Sequence, residues 1–133
     1  MSYSIPGVIF TALSSGDMSA GQFHAVQAST TNSADGAVLV AARGAAVSGI
    51  WQQNSTAQEA GQIMLTGISK VSAGDSSAGA AIAVGANVVA SSKGRAVTST
   101  AAGQHLIGKA LEPLGASSTG IIAVALAIGA IST

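Results

Sequence analysis

The sequence predicts an all-β fold, a small single-domain β-barrel or β-sandwich of about nine or ten short strands with an extended N-terminal arm. Three observations lead there. From Ile121 to Ile128 the chain alternates strictly, with Ile122, Val124, Leu126 and Ile128 on one side and Ile121, Ala123, Ala125 and Ala127 on the other. A period of two is what a pleated strand imposes, because successive side chains point to opposite faces. Turn signals recur every 8 to 12 residues along the whole chain, and no stretch carries a convincing amphipathic helical pattern.

Taken in order, residues 1–7 show too little periodicity for an element, and Pro6-Gly7 marks a turn. They are either an unordered terminus or an arm that orders against a partner, and residues 8–133 form the single β domain. Val8 to Leu13 reads as the first strand. After a turn over Ser14 to Gly21, residues Phe23 to Ala28 alternate as a second. Asp35-Gly36 is a hairpin signal leading into Ala37 to Ala41. Val47 to Gln52 holds the only tryptophan, Trp51, and Gln62 to Ile68 is the next strand. Ser72 to Gly79 reads as loop, followed by two short strands, Ala80 to Val84 and Asn87 to Ser91. A helix over 78–90 is the rival there, opposed by Gly79, Gly85 and the Val88-Val89 pair. Lys93-Gly94 offers a hairpin turn before Arg95 to Thr98, and Ala102 to Gln104 a turn before His105 to Leu111, which Pro113 stops.

The strand over 121–128 carries no charge on either face. It is therefore expected to be covered on both sides, in the core or at a subunit contact. It is too short to cross a bilayer as a helix, which needs about 20 apolar residues. The tripeptide Ala-Gly-Gln occurs at 20–22, 60–62 and 102–104, each time before an apolar run. The residues between the copies align poorly, which favours one turn used three times over a threefold repeat.

Composition bounds the function. Of 133 residues, 28 are Ala, 17 Gly, 19 Ser and 9 Thr, while 8% are charged and 3% aromatic. Small side chains bury little area each, so stability is expected to come partly from assembly with further copies. Five basic and five acidic residues cancel without clustering, which leaves no electrostatic footprint for nucleic acid or an anionic membrane. The lack of cysteine excludes thiolate catalysis, thiolate metal sites and disulfides. Met1 to Pro6 has neither the basic nor the apolar region of a signal peptide, so folding in a cytoplasm is expected.

No group of residues assembles into a reaction centre. His24 and His105 lack a nearby carboxylate cluster, so no metal site is expected. Asp17, Asp35, Glu59 and Asp75 fall in turns, and Glu112 stands near Lys109 as a surface ion pair would. Neither a Gly-x-Ser-x-Gly elbow nor a phosphate-binding glycine loop appears. Tyr3, Phe10, Phe23 and Trp51 are too scattered to stack bases. The chain is expected not to be an enzyme and to need no cofactor.

The ordered features Ala20-Gly21-Gln22, Asp35-Gly36, Ser48-Gly49-Ile50-Trp51, Ala60-Gly61-Gln62-Ile63, Ala78-Gly79-Ala80-Ala81-Ile82 with Gly85, Lys93-Gly94-Arg95-Ala96-Val97, Ile107-Gly108-Lys109-Ala110-Leu111 and Gly120 to Leu126 resemble bacteriophage capsid cement, or head decoration, proteins. The resemblance covers nearly the whole chain and rests on order and spacing. It departs after Gly85, where Ala86-Asn87 stands in place of the family's usual acidic residue.

The resemblance implies a structural virion protein on the outer capsid surface, assembled in the host cytoplasm. It implies a homotrimer that binds the major capsid protein and stabilises the expanded icosahedral head, with no nucleic-acid or membrane partner. On this reading the arm, with Tyr3, Ile5, Pro6, Val8 and Phe10, faces the capsid or a neighbouring copy, because an extended segment can add a strand to a sheet edge. Trp51, Ile122, Val124, Leu126 and Ile128 serve core or trimer packing. The alternative is a virion-surface β-domain that recognises carbohydrate or a host surface, for which exposed aromatics are scarce.

Overall fold

A computed structural model describes residues 4–29, 36–40, 42–56, 59–75 and 79–133. It is all-β, with eleven strands: β1 (Ile5–Pro6), β2 (Ile9–Ser14), β3 (Ala25–Ala28), β4 (Gly36–Leu39), β5 (Gly49–Trp51), β6 (Ala60–Met64), β7 (Gly67–Gly74), β8 (Asn87–Ala90), β9 (Ala96–Thr98), β10 (Leu106–Ala110) and β11 (Thr119–Leu126). They form two rings. The first is a closed barrel in the order β2-β4-β3-β5-β6, and the second runs β7-β11-β10-β8-β9, closed by a pairing of β7 with β9 and flanked by β1 on β7.

The two rings have the same topology. In each, the first strand runs parallel to the third, Ser14 beside Ala37 and Ala73 beside Ala96, a separation of 23 residues in both. Every other pairing is antiparallel and follows in the same sequence: β2–β6 matches β7–β11, β3–β4 matches β8–β9, β3–β5 matches β8–β10 and β5–β6 matches β10–β11. Even the isolated bridges correspond, Met18 to Ser55 in the first ring and Ile82 to Leu114 in the second. The chain is thus one five-stranded motif used twice, offset by about 60 residues.

Packing repeats with it. One buried cluster takes Ala12, Val26, Ala37, Trp51 and Ile63, one residue from each strand of the first ring, together with Met18. Another takes Val71, Val88, Ala96, Ala110 and Val124 from the second ring, together with Ile82, and a third, smaller one holds Val89, Val97 and Leu106. Ala25, Val40 and Ile50 of the first ring pack into that second cluster, so the rings share a core.

The duplication is not the one weighed from Ala-Gly-Gln. Its three copies lie in a loop, inside β6 and in a turn, and only Gly103 of their glycines takes a positive φ, 85°. A Cβ on Gly61 would lie 2.1 Å from Cζ2 of Trp51. That glycine makes room for the indole in mid-strand; it turns nothing.

Other expectations need correction. The strand expected over 62–68 is the end of β6, a turn at Leu65-Thr66 and the start of β7. The loop expected from Ser72 begins inside β7, the longest of the strands together with β11. Ser69 hides it: this buried residue sits where alternation asks for an apolar one, and is satisfied by Gln52 Nε2 at 3.0 Å and the Lys70 carbonyl at 2.8 Å. Ala80 to Val84 contributes only the bridge at Ile82. Residues Ile5–Pro6, expected to form no element, pair with Ile68 and Gly67 as an edge strand. The Lys93-Gly94 hairpin is present, with Gly94 at φ 74° between β8 and β9. Tyr3, Asp35 and Ala41 lie outside the described residues.

Candidate functional site

Among the described residues seven large apolar side chains are exposed, and four of them, Ile5, Val8, Ile9 and Phe10, fall within six consecutive residues. Local hydrogen bonds hold this segment to the body. Lys70 N donates to Ser4 Oγ at 3.4 Å, Gly7 N to the Thr66 carbonyl at 3.1 Å and Val8 N to Thr66 Oγ1 at 2.7 Å. The backbone is fixed while the side chains of Ile5 and Val8 stay 57% exposed, and those of Ile9 and Phe10 39%. Pro6 suits this position, since it lacks the N–H that an inner strand would need to donate.

Phe10 continues the patch into a cleft of about 150 Å3, lined also by Thr11, Ala12, Gln27, Ala28, Gly36, Ala37, Ser48 and Ile63. None of these is charged. Clustered exposed apolar side chains against an uncharged cleft suit an apolar surface or an extended chain, and give no purchase for acid–base chemistry. The sequence reading singled out Ile5, Pro6, Val8 and Phe10 of this segment. It missed Ile9, which alternation assigns to the opposite face, and Thr66, whose hydroxyl anchors the entry to β2.

The other singled-out residues do not join this surface. Trp51 is 0% exposed in the first ring's cluster, and Ile122 and Val124 are buried in the second. Leu126 and Ile128 are half-buried, Ile128 beyond the end of β11.

The polar candidates are similarly dispersed. His24 is buried, its Nδ1 3.0 Å from the Gln22 carbonyl, and burial followed by the nearby Arg95 charge lowers its pKa. His105 forms an isolated bridge with Ile131 near the C-terminus. Asp17 caps its own turn, accepting from Ser19 N at 2.9 Å, which lowers its pKa. Glu112 Oε2 accepts from Ala123 N at 3.0 Å and so anchors the backbone of β11. A second, polar cleft of about 170 Å3 brings Lys93 and Arg95 near Asp75, Ser91 and Thr119. Among the described residues no three His, Cys, Asp or Glu side chains gather to hold a metal, and no helix is long and apolar enough to cross a membrane.

Comparison with known proteins decides the family. The sequence model of the phage cement protein family matches residues 7–126, nine-tenths of the chain. The chain belongs to the phage cement proteins. It is therefore a structural protein of the virion, located at the phage capsid. The cement-protein fold has a solved counterpart in the head fiber gp8.5 N base of bacteriophage phi29: the TM-score is 0.67 at 18% identity, over 90% of this chain and 93% of that one. No curated protein matches the sequence. The family match begins at Gly7, so Val8, Ile9 and Phe10 of the exposed patch lie within it and Ile5 just outside.

Proposed function

We propose that this cement protein binds the outer surface of an icosahedral phage head as a homotrimer, with the major capsid protein as its partner, and reinforces the expanded shell. It meets the head in the host cytoplasm and uses no cofactor, nucleic acid or membrane. The family match over residues 7–126 carries this reading. The exposed group Ile5, Val8, Ile9 and Phe10 supports a capsid-facing or neighbour-facing role for the segment from Tyr3 to Phe10.

The mechanism is non-covalent clamping. Each trimer touches several shell subunits, and once one contact has formed the others close at high effective concentration. Avidity then exceeds a single contact by a factor of about 10^2–10^4, and separating neighbouring subunits requires several contacts to break together. A formally neutral surface with few charges also sets no long-range repulsion between copies.

Light scattering on the purified chain, followed by sedimentation with expanded heads, tests this directly. The proposal expects a mass of three 12.7 kDa chains and co-sedimentation with heads. A monomer that stays in the supernatant would sink it.

A further inference from the structure

The duplicated topology compares two equivalent strand edges, one paired and one not. β2 and β7 are the equivalent first strands, and their inward residues match as Ala12 with Val71 and Ser14 with Ala73, an offset of 59. The Val8 carbonyl accepts from Leu65 N and Ser14 N donates to the Glu59 carbonyl, so even-numbered residues of β2 point their backbone groups toward β6. Those of Ile9, Thr11 and Leu13 point to the opposite edge. On β7 the corresponding groups belong to Ile68, Lys70 and Ser72.

The β7 edge is covered along its length. β1 pairs at Gly67 and Ile68, Ser4 Oγ accepts from Lys70 N, the Phe23 carbonyl accepts from Ser72 N, and β9 pairs at Ala73. On β2, β4 pairs only at Leu13 and Ser14, and among the described residues no strand pairs with the edge from Ile9 to Ala12. Ile9, Phe10 and Thr11 are exposed there. The uncharged cleft lined by Phe10, Thr11 and Ala12 lies against this edge.

We propose that the Ile9–Ala12 edge receives an extended, uncharged segment of the shell protein, added as a strand in the way β1 is added to β7. This rests on the cement reading. The occupant follows from counting. Each copy has two equivalent edges but a single N-terminal segment, and that segment lies on its own β7. A second copy could supply its segment only by uncovering its own β7, so exchange between copies gains nothing. A different chain adds a pairing without removing one. No described residue of the lining is charged, so a charged segment would lose its water there without a described partner. Main-chain hydrogen bonds then give the affinity, and the cleft beside Phe10 receives an apolar side chain.

Amide hydrogen exchange on the wild-type chain, free and bound to expanded heads of its own phage, tests this without altering the fold. The Ile9 and Thr11 amides should exchange at least tenfold more slowly on heads. Binding with unchanged exchange at these two amides overturns the strand addition and leaves the cement reading intact, whereas no binding overturns both. Thr11→Pro gives a second test, because it removes an outward N–H and none directed at β6. It should keep the free chain's β-sheet spectrum and mass and bind heads at least tenfold more weakly. A folded Thr11→Pro chain that binds like wild type contradicts the proposal.

Discussion

Single residues set the first ring around Trp51. Its indole lies over the Cα of Gly61, where an added methyl would meet Cζ2 at 2.1 Å, so Gly61→Ala must displace either the ring or β6. Overpacking of this kind costs about 1–3 kcal/mol, and urea unfolding should place Gly61→Ala near the top of that range. Trp51 Nε1 has no hydrogen-bond partner among the described residues. Trp51→Phe removes that buried donor along with some volume, whereas Trp51→Ala opens a cavity costing about 3–5 kcal/mol. Phe should therefore be much the milder change, and equal losses in the two would refute the packing described here. His24 fixes a pH dependence. Burial lowers its folded pKa below the usual 6.5, so between those values the unfolded chain binds more protons. Stability should fall as pH drops below about 6.5 and level off below the folded pKa, and His24→Gln should flatten that part of the urea-midpoint profile. Trp51 was legible as a packing residue; the role of Gly61 was not, because it stands in a tripeptide that looks like a turn.

At the scale of elements, sequence patterning exposed what alternates and hid what does not. β11 was readable because Ile122 and Val124 alternate with small residues, and the structure pairs it with both β7 and β10. β7 escaped because Ser69 and Lys70 break the pattern, although Ser69, Val71 and Ala73 all point inward. The N-terminal segment was readable as extended and apolar; its partner was not, since pairing with Gly67 and Ile68 joins residues more than 60 apart. Deleting residues 2–7 removes β1 and its Ile5 side chain but no residue of any core cluster. The truncated chain should keep the mass of the proposed trimer by light scattering and bind heads more weakly by sedimentation. Undiminished binding would remove Ile5 and Pro6 from the proposed capsid-facing surface. Gly108 tests the β10–β11 pairing independently, because a Cβ there would lie 2.0 Å from the Ala125 carbonyl oxygen. Gly108→Ala should lower the unfolding free energy, read from urea titration, by about 1–3 kcal/mol.

For the whole molecule, the all-β class was legible and the duplication was not. Equivalent positions share burial and register more than side chains: Val26 and Val88 or Ala37 and Ala96 agree, whereas Trp51 and Ala110 or Met18 and Ile82 do not. A repeat preserved mainly in hydrogen-bond pattern and burial leaves little trace in a comparison of residue identities. The rings nevertheless share a core through Ala25, Val40 and Ile50, so they should unfold as one cooperative unit. Trp51 fluorescence reports the first ring alone and far-ultraviolet circular dichroism reports both. Their urea transitions should coincide, and a fluorescence midpoint separated from the dichroism midpoint would mean independent rings. Shell reinforcement makes the most direct demand on the account. Filled heads stripped of this protein should release DNA at a measurably lower temperature than heads to which it has been restored, and addition of the purified chain should return the release temperature to its original value. Release at the same temperature with saturating bound protein would show attachment without reinforcement and contradict the cementing role.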